Sequence, residues 1–191
     1  MYTFFDTETN GLPKDYKASM FNVDNWPRVI QLGWIFLSED LKTKSENKFF
    51  IKPDGWVVPK EDFWTNKGYN TARCEAEGMP MKMVLEMLVK DINRSKYMIA
   101  HNVDFDYNVL GAEMIRYKAR ATAKTDKICT MKIGTDICQI PGQYGKSFKW
   151  PKLEELHKHL FGMDFIGAHD ALSDCQATMA CFLKMKENGI F

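Results

Sequence analysis

Phe4-Phe5-Asp6-Thr7-Glu8-Thr9-Asn10-Gly11 sets two carboxylates where an apolar strand emerges from a core. In an extended strand residues two apart share a face, so Asp6 and Glu8 point the same way and can clamp the same ions. Adjacent carboxylates repel one another, and burial adds to the cost. The usual way to keep both ionised is a cation between them. Hard oxygen ligands favour magnesium or manganese. Taken alone, the same stretch also fits a strand end at Asp6, a solvated Glu8 and a turn at Asn10-Gly11. Further acids downstream decide between the two.

With 191 residues, 45% of them hydrophobic, the chain suits a single domain, 1–191, with a sizeable core. No run of about 18 apolar residues occurs and no charged-then-apolar leader opens the chain, so a cytoplasmic protein with no membrane contact is expected. Five cysteines (Cys74, Cys129, Cys138, Cys175 and Cys181) lack the close pairing of a zinc site, and reduced thiols are the simplest account. Lys and Arg number 26 against 25 for Asp and Glu, and the net charge of +1 excludes a nucleic-acid binder basic over its whole surface. It leaves room for a local basic track. No internal repeat or low-complexity segment is present.

Taken in order, strands are expected at 2–6, 29–37, 47–52, 97–100 and 127–131, the second and third joined by a short antiparallel hairpin. An irregular stretch, 12–28, separates the first two. Met81, Val84, Leu85, Leu88 and Ile92 recur at helical spacing and predict a helix over 80–95. Helices are also expected over 106–118, 152–161 and 171–186, and a Pro- and Gly-punctuated loop within 135–151. This order predicts an α/β fold, a mixed five-stranded sheet with helices on both faces, which fits a ribonuclease H-like architecture.

His101-Asn102-Val103-Asp104-Phe105-Asp106 starts at the end of a predicted strand and runs into a helix, so either aspartate can face the crevice above the sheet, where α/β ligand sites gather. In His169-Asp170-Ala171-Leu172-Ser173-Asp174 the histidine precedes a helix and Asp174 lies on its first turns. His157 and His159, two apart on a helix, diverge and are expected at the surface.

These stretches resemble, in order and spacing, the three motifs of the DEDDh family of 3′ to 5′ exonucleases, to which the proofreading subunit of bacterial DNA polymerase III belongs. The resemblance spans positions 4 to about 182. It implies that Asp6, Glu8, Asp106 and Asp174 ligate metal and that His169 is the general base. Asp104 and Asp170 fall at variable family positions and are expected in solvent or capping a helix. By the same resemblance Thr7, Leu12, His101 and Phe105 border the substrate. The chain departs from the family in its longer 12–28 stretch and in Thr65-Asn66-Lys67-Gly68, which stands where many members carry His-Gly-Ile.

The implied chemistry uses two magnesium ions, with manganese able to substitute, about 3.5 to 4 Å apart, serving both ends of an in-line displacement. A histidine of pKa near 6.5 is suited to take the proton from the attacking water. The expected activity is release of nucleoside 5′-monophosphates from DNA, from single strands or the 3′ ends of duplexes. RNA trimming within the same family stays open, since no motif records contacts to a 2′-hydroxyl. So does a non-catalytic nucleic-acid-binding module or a DNA polymerase partner. Within 142–150, Lys146, Lys149, Tyr144 and Trp150 are expected to hold the strand, unless Phe148 and Trp150 anchor the loop in the core.

Overall fold

The computed structural model describes residues 1–42, 44–143 and 147–190. Its strands are β1 (Tyr2–Thr9), β2 (Val29–Leu37), β3 (Lys44–Phe50), β4 (Tyr97–Ala100) and β5 (Asp126–Cys129). Its helices are α1 (Asp62–Thr65), α2 (Thr71–Glu77), α3 (Met81–Ile92), α4 (Val103–Arg116), α5 (Thr130–Cys138), α6 (Leu153–Phe161) and α7 (Ala171–Glu187), with one 3₁₀ turn at Val23–Asn25. The sheet runs in the order β3-β2-β1-β4-β5. β1, β2 and β3 pair antiparallel, while β4 and β5 run parallel to β1.

Alternation along β1 divides the core. Tyr2 and Phe4 face α7, packing with Ile35, Ile99, Cys175 and Phe182. Phe5 faces the other way, towards Leu85 and Leu88 of α3 and Leu110 of α4. Every residue of β2 is buried, as expected of a strand covered on both faces. The predicted stripe of α3 is wholly buried. At about 1.5–3 kcal/mol for each such side chain, packing rather than propensity holds a helix this short.

Several boundaries differ from expectation. β1 continues to Thr9, so both of its acids lie within the strand, and β3 starts at Lys44 because its polar end is a sheet edge paired with Leu37 and Phe36. α4 begins at Val103, behind an Asn102 in the left-handed region (φ +73°), which brings Asp104 and Asp106 into one first turn. The stretch expected as strand and loop from 130 onward contains α5 instead. Gly134 obscured it: a poor helix former, it is chosen for packing, since a Cβ there would stand 3.0 Å from Leu156 Cδ1. α1 and α2 are too short to show a period.

The irregular 12–28 stretch is tied down. Trp26 is buried with its indole N–H on the Ser19 carbonyl. Arg28 and Arg116 meet the buried Glu113 at 2.7 and 2.9 Å. Among the described residues no helix is long and apolar enough to cross a membrane.

Candidate active site

Asp6 and Glu8 continue the face of β1 that α7 covers, and their partners across the ladder are Gly33 and Gln31 of β2. Both partners serve the approach of α7. A Cβ on Gly33 would stand 2.6 Å from the Ala171 carbonyl carbon, so only glycine lets the helix start this close. The Ala171 N–H donates to Gln31 Oε1 at 2.8 Å, and Asp170 caps the helix by accepting from the Ser173 N–H at 3.2 Å. The first turn of α7 is thereby seated over the acids of β1, and it carries Asp174.

Asp106, only 3% exposed, comes from the first turn of α4. Its Oδ1 accepts from the Thr7 N–H at 3.0 Å and the Thr7 hydroxyl at 2.7 Å. Both donors of Thr7, a residue expected to border substrate, are thus turned inward onto Asp106.

His169 stands in the left-handed region at φ +71°, a conformation costing about 1–2 kcal/mol for a residue with a Cβ. Its backbone is held on both sides. The N–H donates to Asp174 Oδ2 at 3.1 Å, and the carbonyl accepts from the Tyr69 hydroxyl at 2.8 Å, itself 3.4 Å from Gln31 Oε1. Ligand atoms of Glu8, His169 and Asp174 all lie within 4.8 Å of one another.

Burial, reinforced by mutual repulsion, drives these acids upward. Asp6 is raised well above the carboxylate range by burial and then by Asp106, Asp174 and Glu8. Glu8 is pushed up to about 7 by burial, against the pull of Lys67. Burial also takes Asp106 to about 7, against the two Thr7 bonds, and Asp174 to about 7, against the His169 N–H. Carboxyls that hold protons near neutrality when no cation is beside them are a donor set suited to divalent metal, which would displace those protons. His169 is shifted down, by burial first and Lys67 second.

The more distant candidates fall out differently. Both ring nitrogens of His101 are used within the protein: Nε2 donates to the Pro151 carbonyl at 2.9 Å, leaving Nδ1 to accept from the Thr130 hydroxyl at 3.1 Å. His101 therefore fastens α5 to the segment before α6. Asp104 bridges Lys127 and Lys132 at 2.8 and 2.6 Å and caps nothing. Lys149 pairs with Glu155 at 2.6 Å. Leu12, Phe148 and Trp150 are exposed, so Phe148 and Trp150 do not anchor the loop in the core. Phe105 joins Tyr16, Trp26, Met131, Lys132 and Trp150 around a cavity of about 340 Å³. Tyr144 and Lys146 lie outside the described residues. His157 packs against Phe161 and Phe165, partly covered rather than at the surface, while His159 is exposed.

Residues 3–182 match the exonuclease family designated RNase T. The chain belongs to the exonuclease family.

The chain is similar in fold to Escherichia coli Exonuclease I in complex with a dT13 oligonucleotide, at 19% identity and a TM-score of 0.70, over 100% of this chain and 42% of that one. The same enzyme with a dA16 oligonucleotide gives 19% identity and a TM-score of 0.72 over 97% and 40%. A moderately thermophilic Exonuclease I from Methylocaldum szegediense gives 18% and 0.69, again over 97% and 40%. The chain spans about two fifths of the length of these proteins. Their likeness confirms the ribonuclease H-like fold anticipated from the order of elements. Comparison with curated proteins gives no match.

Three residues of the candidate site carry no motif. Gln31 is signalled only by being polar inside the apolar run of β2. Tyr69 has no sequence signal, since its partner lies 100 residues away. Lys67 stands in the segment that departs from the family pattern.

Proposed function

We propose that this exonuclease is a magnesium-dependent enzyme that removes nucleoside 5′-monophosphates from the 3′ ends of single-stranded DNA. The observation that carries the reading is the meeting of Glu8, His169 and Asp174 within 4.8 Å. The oligonucleotides held by the Exonuclease I structures, dT13 and dA16, support DNA as the substrate class.

Asp6, Glu8, Asp106 and Asp174 would hold two magnesium ions, which manganese can replace. When bound, such ions make water acidic enough to ionise near neutral pH and neutralise charge on the leaving oxygen. His169, kept neutral in the physiological range by its lowered pKa, accepts the proton of the attacking water at an imidazole nitrogen. Its backbone bonds to Asp174 and Tyr69 fix where the ring is presented. Thr7 aims Asp106 and favours its ionised form against burial. Tyr16, Phe105 and Trp150 offer ring faces on which bases stack, at about 1–3 kcal/mol each.

The test is incubation with 5′-labelled and 3′-labelled single strands of DNA and RNA, with and without magnesium. The proposal expects a progressively shortened 5′-labelled DNA ladder and immediate release of a labelled mononucleotide from the 3′ end. Internal cuts, or equal activity in chelator, would overturn it.

A further inference from the structure

The turn after α1 is fastened across the site at both ends. Trp64 donates its indole N–H to the Thr9 carbonyl at 2.9 Å, just beyond Glu8, and Tyr69 donates to the His169 carbonyl at 2.8 Å. Between these anchors the chain turns tightly, with the Lys67 and Tyr69 N–H groups both on the Trp64 carbonyl and Gly68 at φ +74°. Lys67 thus spans the gap between the end of β1 and His169.

Its ammonium is placed rather than free. Nζ lies 3.7 Å from the centroid of the Phe63 ring, an arrangement that holds a cation by its charge. It is shielded from solvent and has no hydrogen-bond partner among the described residues. A covered ammonium with three unmet N–H donors is costly, and what it lacks is an anionic acceptor. None of the neighbouring carboxylates supplies one by hydrogen bond, although the charge of Lys67 is felt at Glu8, Asp174 and His169. Once substrate is added, the charges of the site balance when Lys67 is counted. Four carboxylates offset two divalent ions, which leaves the single positive charge of Lys67 against the single negative charge of one phosphodiester.

We propose that Lys67 is a phosphate-binding residue of this site, its ammonium donating to a non-bridging oxygen of the 3′-terminal phosphodiester. The proposal rests on the nuclease reading above and names the residue that takes the substrate's charge.

The test compares binding, in calcium, of a single-stranded DNA with the same strand carrying a neutral methylphosphonate at its 3′-terminal linkage, the strands being checked for integrity on a gel. Wild-type protein is expected to prefer the charged strand, and Lys67→Gln to lose about tenfold of that preference, the scale of one charge-assisted hydrogen bond. The slope of log affinity against log salt should fall by about 0.7, one phosphate contact on a single strand. Lys67→Arg should keep most of the preference. Equal weakening of both strands, with an unchanged slope, would overturn the proposal and leave Lys67 a structural residue. So would a Lys67→Arg protein that melts like wild type yet has lost the preference. A wild-type protein that neither binds nor cleaves DNA would overturn the nuclease reading, and this proposal with it. Cleavage by a wild type whose preference is independent of Lys67 would overturn this proposal alone.

Discussion

One oxygen of Asp106 accepts two hydrogen bonds from Thr7, one from the backbone of β1 and one from the side chain. The pair joins α4 to the centre of the sheet and favours the ionised carboxylate at a position where burial opposes it.

Thr7→Val removes the hydroxyl and keeps the volume. The Asp106 carboxyl of the metal-free protein should then hold its proton to higher pH, so metal loading, and with it the acid limb of the rate profile, moves to higher pH. In chelator at pH 8 the loss should be about 1–3 kcal/mol of stability, a hydrogen bond to a charged group, and smaller at pH 5. Rate profiles measured side by side check this; superimposable profiles would return Thr7 to a packing role.

Asp174→Asn should abolish cleavage while raising the melting temperature of the metal-free protein. One charge leaves a crowded set, and the amide oxygen can still accept from the His169 N–H. Melting curves in chelator decide the point, and a clearly lower value for the variant would contradict it.

The metal-free protein should lose stability as pH rises from about 4 to 7. Glu8, Asp106 and Asp174 titrate near 7 when folded, above their ordinary values, so the folded state binds more protons than the unfolded one in this window. Stability then falls with increasing pH and levels off above the folded values. Magnesium should flatten the dependence by replacing those protons. Melting temperatures from pH 5 to 8, with chelator and with magnesium, measure both effects; a metal-free optimum at pH 8 would contradict the account.

The part of this site that was legible in the sequence is the part written by local geometry. Asp6 and Glu8 follow from the two-residue period of a strand, and Asp174 with His169 from a short junction into a helix. The bond from Thr7 to Asp106 was not legible, because alternation says which face a residue takes and nothing of what stands opposite it, here a carboxylate 99 positions away. The partners of His101, Thr130 and Pro151, were hidden for the same reason. The fold's order of strands was readable from hydrophobic runs. α5 was not, because Gly134 answers to Leu156 and Pro151 across the core rather than to its own helix. Gln31 and Tyr69, which hold His169 and α7 in place, act through contacts that exist only once the sheet and helices have met.

The most direct measurement is the single-turnover rate of His169→Ala on a single-stranded DNA in magnesium. The account predicts a fall of about two to four powers of ten, the contribution of a positioned proton-transfer group, with DNA binding retained. Substitution of His157, packed on Phe161 and Phe165, or of the exposed His159 should leave the rate unchanged. A His169→Ala protein that cleaves at close to the wild-type rate would contradict the assignment of this cluster as the hydrolytic site.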